Sequence, residues 1–227
     1  MRKLFHALLA NHCALCDAAC ATFLCAGCEA HLPRVGDACP VCALPLAHEA
    51  SLCADCLELP KPFTSSLCPF VYTYPLDGLI RRFKHRRYFA AGEFLAKSLG
   101  ACVRLHYDQL PDALVPMPQH WRRRLLRGFN QAHFLADQLS AQTRIPVLPL
   151  VGKTRPTPSQ QGLDRKQRLR NLHDVFAVRG AVQGKHLLLV DDVMTTGASA
   201  MSLAEALLKA GARRVDVAVL ARTPKPA

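Results

Sequence analysis

LLLVDDVMTTGASA, residues 187–200, decides how this chain is read. Its first four residues form a wholly apolar run, the pattern of a short strand buried on both faces of a parallel sheet. Two adjacent acids follow, Asp191 and Asp192, and then small hydroxyl residues around Gly197. Like charges side by side repel, and no base within the stretch offers them a local ion pair. The two acids make sense if their partner lies outside the chain.

The small residues narrow what that partner is. Gly197 permits a tight turn and a close backbone approach. Thr195, Thr196 and Ser199 add hydroxyl donors, and a following helix would add the partial positive charge of its N-terminus. Such a turn, residues 195–199 including Ala198, suits one phosphate. The carboxylates of Asp191 and Asp192 are acceptors only, suited to the vicinal hydroxyls of a sugar or to Mg²⁺ through waters. Together they describe a ribose 5-phosphate gripped at both ends. The competing explanation is a helix-capping turn, which does not need two adjacent acids.

Working outward, strands alternate with helices. FVYTY (residues 70–74) and ALVPMP (residues 113–118) read as strands, as do IPVLPLV (residues 145–151) and VDVAVLA (residues 215–221). Between them, PLDGLIRRFKHRR places Leu76, Leu79, Ile80 and Phe83 on one helical face. A second helix is expected at about residues 90–106, another with Phe134, Leu135 and Leu139 on one face, and a last one ending at Gly211. This alternation predicts a parallel α/β sheet, whose ligands bind beyond the carboxyl ends of its strands. Asp191 and Asp192 sit at one such end.

The N-terminal part is different. Eight of the 11 cysteines form four C-x-x-C pairs: Cys13/Cys16, Cys25/Cys28, Cys39/Cys42 and Cys53/Cys56. A two-residue spacer lets both thiolates of a tight turn face one tetrahedral zinc, and two such turns complete a site. Their order suggests two sequential ribbons, each with one Zn²⁺, with an interleaved pairing left open. A disulfide cluster needs an oxidising compartment, and a thioredoxin-like motif needs a single pair in a βαβ unit. Neither fits well. Cys20, Cys68 and Cys102 fall outside the pattern and read as small buried apolar residues. His12 and His31 read as bystanders beside complete cysteine sets. Pro60, Lys61 and Pro62 read as a linker, so residues 1–60 form one module and residues 63–227 another.

With 227 residues, half of them hydrophobic, the chain can build a core of ordinary size. Its formal charge is +12, with Lys+Arg 29 against Asp+Glu 17, which favours a polyanionic partner. No apolar run approaches the length of a membrane span. The start, MRKLFHALLANHC, is a poor signal peptide because His6 interrupts it and no small-x-small cleavage site follows. A cytoplasmic location with reduced cysteines is expected.

These stretches resemble a known family. LLLVDDVMTTGAS is similar to the phosphoribosyl-pyrophosphate signature of type I phosphoribosyltransferases. The four knuckles, VPMP (residues 115–118), LRGFNQ (residues 126–131) and R-x-x-N at Arg168 and Asn171 resemble the ComF/GntX family, also called competence protein F, across essentially the whole chain. The resemblance implies a parallel-sheet type I phosphoribosyltransferase-like α/β domain preceded by a small double zinc-ribbon module. It further implies that Asp191 and Asp192 bind the ribose hydroxyls of phosphoribosyl pyrophosphate with Mg²⁺. Thr195, Thr196, Gly197, Ala198 and Ser199 would hold the 5-phosphate, and Pro116 and Met117 would meet the pyrophosphate. The polar stretch at about residues 153–173 matches a mobile loop whose Arg165, Lys166 and Arg168 would offset the charge of departing pyrophosphate.

Association of the family with natural transformation implies handling of single-stranded DNA, alongside helicase or processing proteins of DNA uptake. The bases fit such a partner. Arg81, Arg82, Lys84, Arg86 and Arg87 lie beside Tyr88 and Phe89, and Arg122, Arg123, Arg124 and Arg127 lie beside Trp121 and Phe129. Cations track phosphates while aromatics stack bases, although the same aromatics serve equally well as core. Three functions therefore stand: a DNA-uptake factor with a phosphoribosyl-pyrophosphate site, a phosphoribosyltransferase of unspecified acceptor, and a zinc-ribbon adaptor with a relict site.

Overall fold

The computed structural model describes residues 12–46, 52–119, 128–148, 150–153 and 176–225. Its centre is the apolar run itself. Strand β6 (His186–Met194) pairs on one side with β7 (Arg214–Arg222) and on the other with β3 (Ala113–Pro116), parallel to both. Two short strands, β1 (Ser66–Leu67) and β2 (Phe70–Val71), share the far edge of β7 and complete the five-stranded parallel sheet. The sequence expected a strand over residues 70–74, but pairing stops early because β7 runs out of partners. The Tyr72 N–H already meets the carbonyl of Arg222, the last residue of β7, at 2.8 Å. Of residues 145–151, also expected as one strand, Val147 forms a parallel bridge with Leu114 and Val151 opens a separate short strand.

Side chains alternate across the sheet. Leu188 and Val190 of β6 enter the core under α3 (Leu76–Arg86), α4 (Phe89–His106) and α5 (Gln131–Thr143). Leu187 and Leu189 enter the opposite core, where α6 (Ala198–Lys209) contributes Met201, Leu203 and Leu207. All four β6 residues are fully buried. At about 25 cal/mol per Å² of apolar surface, burying each contributes roughly 2 kcal/mol. Helices thus cover both faces, as the apolar run requires. A separate antiparallel ribbon, β4 (Val151–Lys153) with β5 (Phe176–Val178), brackets the polar stretch, whose residues 154–175 lie outside the described residues. No described helix is long and apolar enough to cross a membrane.

The cysteine-rich segment docks on this sheet domain. It carries two short helices, α1 (Ala26–Ala30) and α2 (Ala54–Glu58). Leu24 and Leu32 join the core beneath α3 and α4, and the Phe23 ring packs on Tyr88 and Phe94 at 5.6 and 5.2 Å. Backbone bonds continue the join, with Val71 N–H donating to Pro33 O at 2.7 Å and Ser66 N–H to Pro40 O at 3.2 Å.

At the amino end of the strands, Asp216 of β7 is fully buried. It accepts from the Ser65 N–H at 3.1 Å and the Tyr107 hydroxyl at 2.8 Å, pairs with Arg214 at 2.8 Å, and meets His186 Nε2 at 2.8 Å. Burial alone would raise its pKa, but the bonds from His186, Arg214 and Tyr107 outweigh it and lower the group from 3.8 to about 2. A carboxylate depressed in this way stabilises the fold above its unfolded pKa, and that contribution disappears as pH falls through the folded value. Asp216→Asn should cost on the order of 2 kcal/mol at neutral pH. Urea titrations at a series of pH values should show wild type losing stability between 3.8 and about 2 more steeply than the variant. Parallel curves would remove Asp216 from the account.

Candidate functional site

Asp191 and Asp192 stand near the carboxyl end of β6, where Asp192 is buried and Asp191 half-buried. The Asp191 Oδ1 accepts the Asp192 N–H at 2.9 Å, which locks the first carboxylate over its neighbour's backbone. The expectation that both acids lack a partner in the chain is corrected here. Lys84, on the last turn of α3, reaches Asp192 Oδ1 at 2.9 Å, with both side chains mostly buried. Two adjacent acids in a poorly hydrated strand end need a counter-charge, and distant sequence supplies it.

Past the acids the chain turns through residues 195–197 into α6. Gly197 caps that helix at φ 76°, a left-handed conformation that a side chain would strain. Thr196 Oγ1 accepts the Ala198 N–H at 3.4 Å, while Thr195 and Thr196 are exposed. A cavity of about 50 Å³ opens there, lined by Asp191, the turn, Ala198 and Ser199, with room for a compact anion. The register of the parallel pair sets the next wall. Pro116 pairs with Val190, and the Met117 N–H donates to Val190 O at 2.8 Å, so Pro116 and Met117 emerge directly beside the acids. Asn130 Nδ2 then fixes Met117 O at 3.1 Å. The structure therefore brings together Asp191, Asp192, residues 195–199, Pro116 and Met117. Arg165, Lys166 and Arg168 lie outside the described residues.

Sequence reasoning missed Arg222, at the end of β7. Its buried guanidinium donates to the carbonyls of Met194 at 3.1 Å, Thr223 at 2.9 Å and Thr195, and its Nε donates to Cys42 O at 2.9 Å. One side chain thus ties the 194–195 turn to the second cysteine cluster. A basic residue ending an otherwise apolar strand was the available signal.

The cysteines fall into the two sequential sets, Cys13, Cys16, Cys25, Cys28 and Cys39, Cys42, Cys53, Cys56, each with its sulfurs within 4.8 Å of one another. A zinc tetrahedron with bonds of about 2.3 Å places sulfurs about 3.8 Å apart. The Cys16–Cys25 and Cys42–Cys53 pairs stand at 3.7 and 3.5 Å, close to that spacing, so each set of four sulfurs suits a Zn²⁺ ion. In each set one thiol is held low. Backbone donors at Cys16 and Cys25 bring Cys13 to about 6; at Cys39 burial raises the pKa, but donors at Cys53 and Cys42 bring it to about 7. Neighbouring sulfurs push Cys28 up to about 12, the resistance that a dication removes. Cys20, Cys68 and Cys102 stay outside both sets and are half-buried.

The first basic cluster is largely engaged within the chain. Arg82 lies over the Tyr88 ring at 4.3 Å and donates to Ala14 O at 2.9 Å; Arg81 pairs with Asp77 at 2.7 Å; Lys84 belongs to Asp192. Arg82 and Lys84 are thus half-buried and partnered within the chain, whereas Arg81, Arg86 and Arg87 are exposed. Trp121, Arg122, Arg123, Arg124 and Arg127 lie outside the described residues.

Comparison with known proteins matches residues 4–69 to the double zinc ribbon domain and residues 126–227 to the phosphoribosyl transferase domain. The chain is 37% identical to DNA utilization protein YhgH of Escherichia coli K12, over 82% of this chain and 84% of that one. It is 33% identical to competence protein F of Haemophilus influenzae, over 88% and 90%, and 28% identical to competence protein ComFC of Bacillus subtilis, over 83% and 79%.

Elemental analysis should find two zinc ions per chain and one after Cys53→Ala, the remaining ion belonging to the first set. Removing the Arg222 side chain as Arg222→Ala should cost about 3 kcal/mol in urea titrations, since it strands buried carbonyls. Two zinc ions should remain in that variant. One ion or none in the unaltered protein would overturn the assignment of both sets.

Proposed function

The chain belongs to the family that includes DNA utilization protein YhgH and competence protein F, and on that premise we propose that it binds phosphoribosyl pyrophosphate and acts on internalised single-stranded DNA. The observation that carries the first half is the convergence at one sheet end of Asp191, Asp192, the 195–199 turn and the loop at Pro116 and Met117. Asp191 and Asp192 accept from the ribose hydroxyls. The backbone N–H groups opening α6, with Thr195, Thr196 and Ser199, take the 5-phosphate, a helix N-terminus being a ready anion site. Pro116 and Met117 flank the pyrophosphate.

Mg²⁺, when bound, would neutralise pyrophosphate oxygens; the donor chemistry of the acid pair suits it directly or through water. Arg165, Lys166 and Arg168, carried between β4 and β5, are proposed to supply the remaining positive charge. Lys84 supplies the counter-charge to Asp192 until a ligand takes over its cationic role. The DNA half rests on the relatives' being a DNA utilization protein and a competence protein, and on the net charge of +12. DNA-uptake helicases or processing proteins are the corresponding partners, and the compartment in which internalised DNA is met is the cytoplasm.

A phosphoribosyltransferase acting on an acceptor base would use the same residues, and the match to the transferase domain keeps that reading in play. Release of pyrophosphate in the presence of mixed bases or single-stranded DNA would favour it.

Calorimetric titration tests the ligand. Asp191→Asn with Asp192→Asn keeps shape but removes both charges, so affinity for magnesium phosphoribosyl pyrophosphate should fall at least roughly a hundredfold, about 3 kcal/mol. The fold should survive at a cost of about 3 kcal/mol, because Asp192→Asn leaves the mostly buried ammonium of Lys84 without its counter-charge. Unchanged affinity in a folded double variant would refute the site.

A further inference from the structure

The two cysteine sets sit differently on the chain. All four cysteines of the second set are buried, whereas in the first only Cys13 is, and Cys16 is exposed. The second set is also tied to the sheet at both of its knuckles. Ser66 of β1 holds the first knuckle twice, its N–H donating to Pro40 O at 3.2 Å and its hydroxyl to Val41 O at 2.7 Å. Arg222 Nε adds a bond to Cys42 O at 2.9 Å. Three residues further on, Lys225 pairs at 3.2 Å with Asp55, which stands between Cys53 and Cys56 in the second knuckle. Both halves of the second set therefore meet residues 222–225.

The remaining bonds of Arg222 lead the other way, to the 195–199 turn. Its guanidinium donates to Met194 O at 3.1 Å, to Thr223 O at 2.9 Å and to Thr195 O. Thr223 N–H also donates to Met194 O at 3.0 Å, and the Met194 sulfur lies 3.6 Å from where a Gly197 Cβ would stand. A guanidinium is planar, so its nitrogens cannot be aimed independently. A shift of the Cys42 carbonyl turns the whole fork, and the carbonyls of Met194 and Thr195 then follow it or lose their donors. With the side chain only 6% exposed, water does not replace a lost bond. The N–H groups that open α6 come directly after these carbonyls.

We propose that the second zinc set and the 195–199 turn are linked sites, with Arg222 as the positioning residue between them. Zinc on Cys39, Cys42, Cys53 and Cys56 fixes the Cys42 carbonyl, the carbonyl fixes the guanidinium, and the guanidinium holds the turn in the shape that accepts a phosphate. Linkage runs both ways, so a phosphate-bearing ligand on the turn tightens the second set's hold on zinc by the same factor. The second ribbon is then a regulatory input and not only a fold stabiliser. The inference rests on the phosphoribosyl reading given above for the identity of the ligand.

Calorimetry with magnesium phosphoribosyl pyrophosphate, amide hydrogen exchange and zinc competition with a chelator test this on the full chain. Cys53→Ala, which empties the second set, should raise exchange at residues 194–199 and weaken the ligand roughly tenfold, an ordinary coupling between sites. Arg222→Met keeps much of the side chain's length and removes its donors. It should weaken the ligand similarly with both zinc ions in place, and adding Cys53→Ala to it should weaken the ligand no further. The ligand should raise affinity for the zinc that Cys53→Ala lacks, roughly tenfold in wild type and not in Arg222→Met. A merely structural role for Arg222 predicts additive losses in the double variant and zinc affinity indifferent to ligand, and either result overturns the proposal. So does a ligand effect on zinc that survives Arg222→Met. If Cys53→Ala fails to fold, the comparison of wild type with Arg222→Met in zinc competition decides. If wild type binds no phosphoribosyl pyrophosphate, exchange decides: a rise at residues 194–199 in Cys53→Ala keeps the linkage and rejects only the phosphoribosyl site, and unchanged exchange rejects the linkage.

Discussion

The buried guanidinium of Arg222 is the point on which the two halves of this molecule depend. Arginine carries donors in a fixed planar fork and stays charged. Here that fork is spent on four main-chain carbonyls, at Cys42, Met194, Thr195 and Thr223. Among the described residues no carboxylate pairs with it, so peptide dipoles alone hold the charge. Two results follow from one side chain. The cysteine turn at Cys42 is placed against the sheet, and an uncancelled positive charge lies beneath the 195–197 turn, where it favours an anion.

The same parallel sheet explains why chemistry gathers at one end. Every strand of it runs the same way, so the loops after β3 and β6 open side by side, and acids, hydroxyls and the Met117 backbone share one rim. The other end is occupied by Asp216, whose bonds to His186, Tyr107, Arg214 and Ser65 tie together the starts of strands and the end of α4. One end is built to be stable. The other is left to hold something else.

Much of this was legible in the residues. The apolar run at residues 187–190 announced a strand buried on both faces, and the C-x-x-C spacing announced sequential clusters, because both patterns are local and chemically narrow. What escaped was long-range. Lys84 reads as one more base in a basic helix end, and nothing in spacing says that it meets Asp192. Arg222 likewise acts through carbonyls, which leave no trace in side-chain patterning. The β4–β5 ribbon was hidden because a strand of three residues carries too little periodicity to detect. At residues 145–151 the opposite error occurred: apolar and β-branched residues suggested one full strand, yet Val147 makes a single bridge to the edge of β3 and Val151 belongs to the β4–β5 ribbon.

Lys84 gives Asp192 a cation that is already part of the chain. A ligand bringing its own metal to the proposed site would therefore not fill an empty field; it would enter by exchange, one ammonium released for each cation accepted at that carboxylate. The competitor cannot be diluted or dialysed away, because its effective concentration is set by how firmly the end of α3 is held. That hold includes Gln131, whose Nε2 donates to the Lys84 carbonyl at 3.3 Å while its amide oxygen accepts from Gln119. Occupancy of the proposed acid-pair site would thus be linked to the position of the last turn of α3, and that turn leads directly to Phe89.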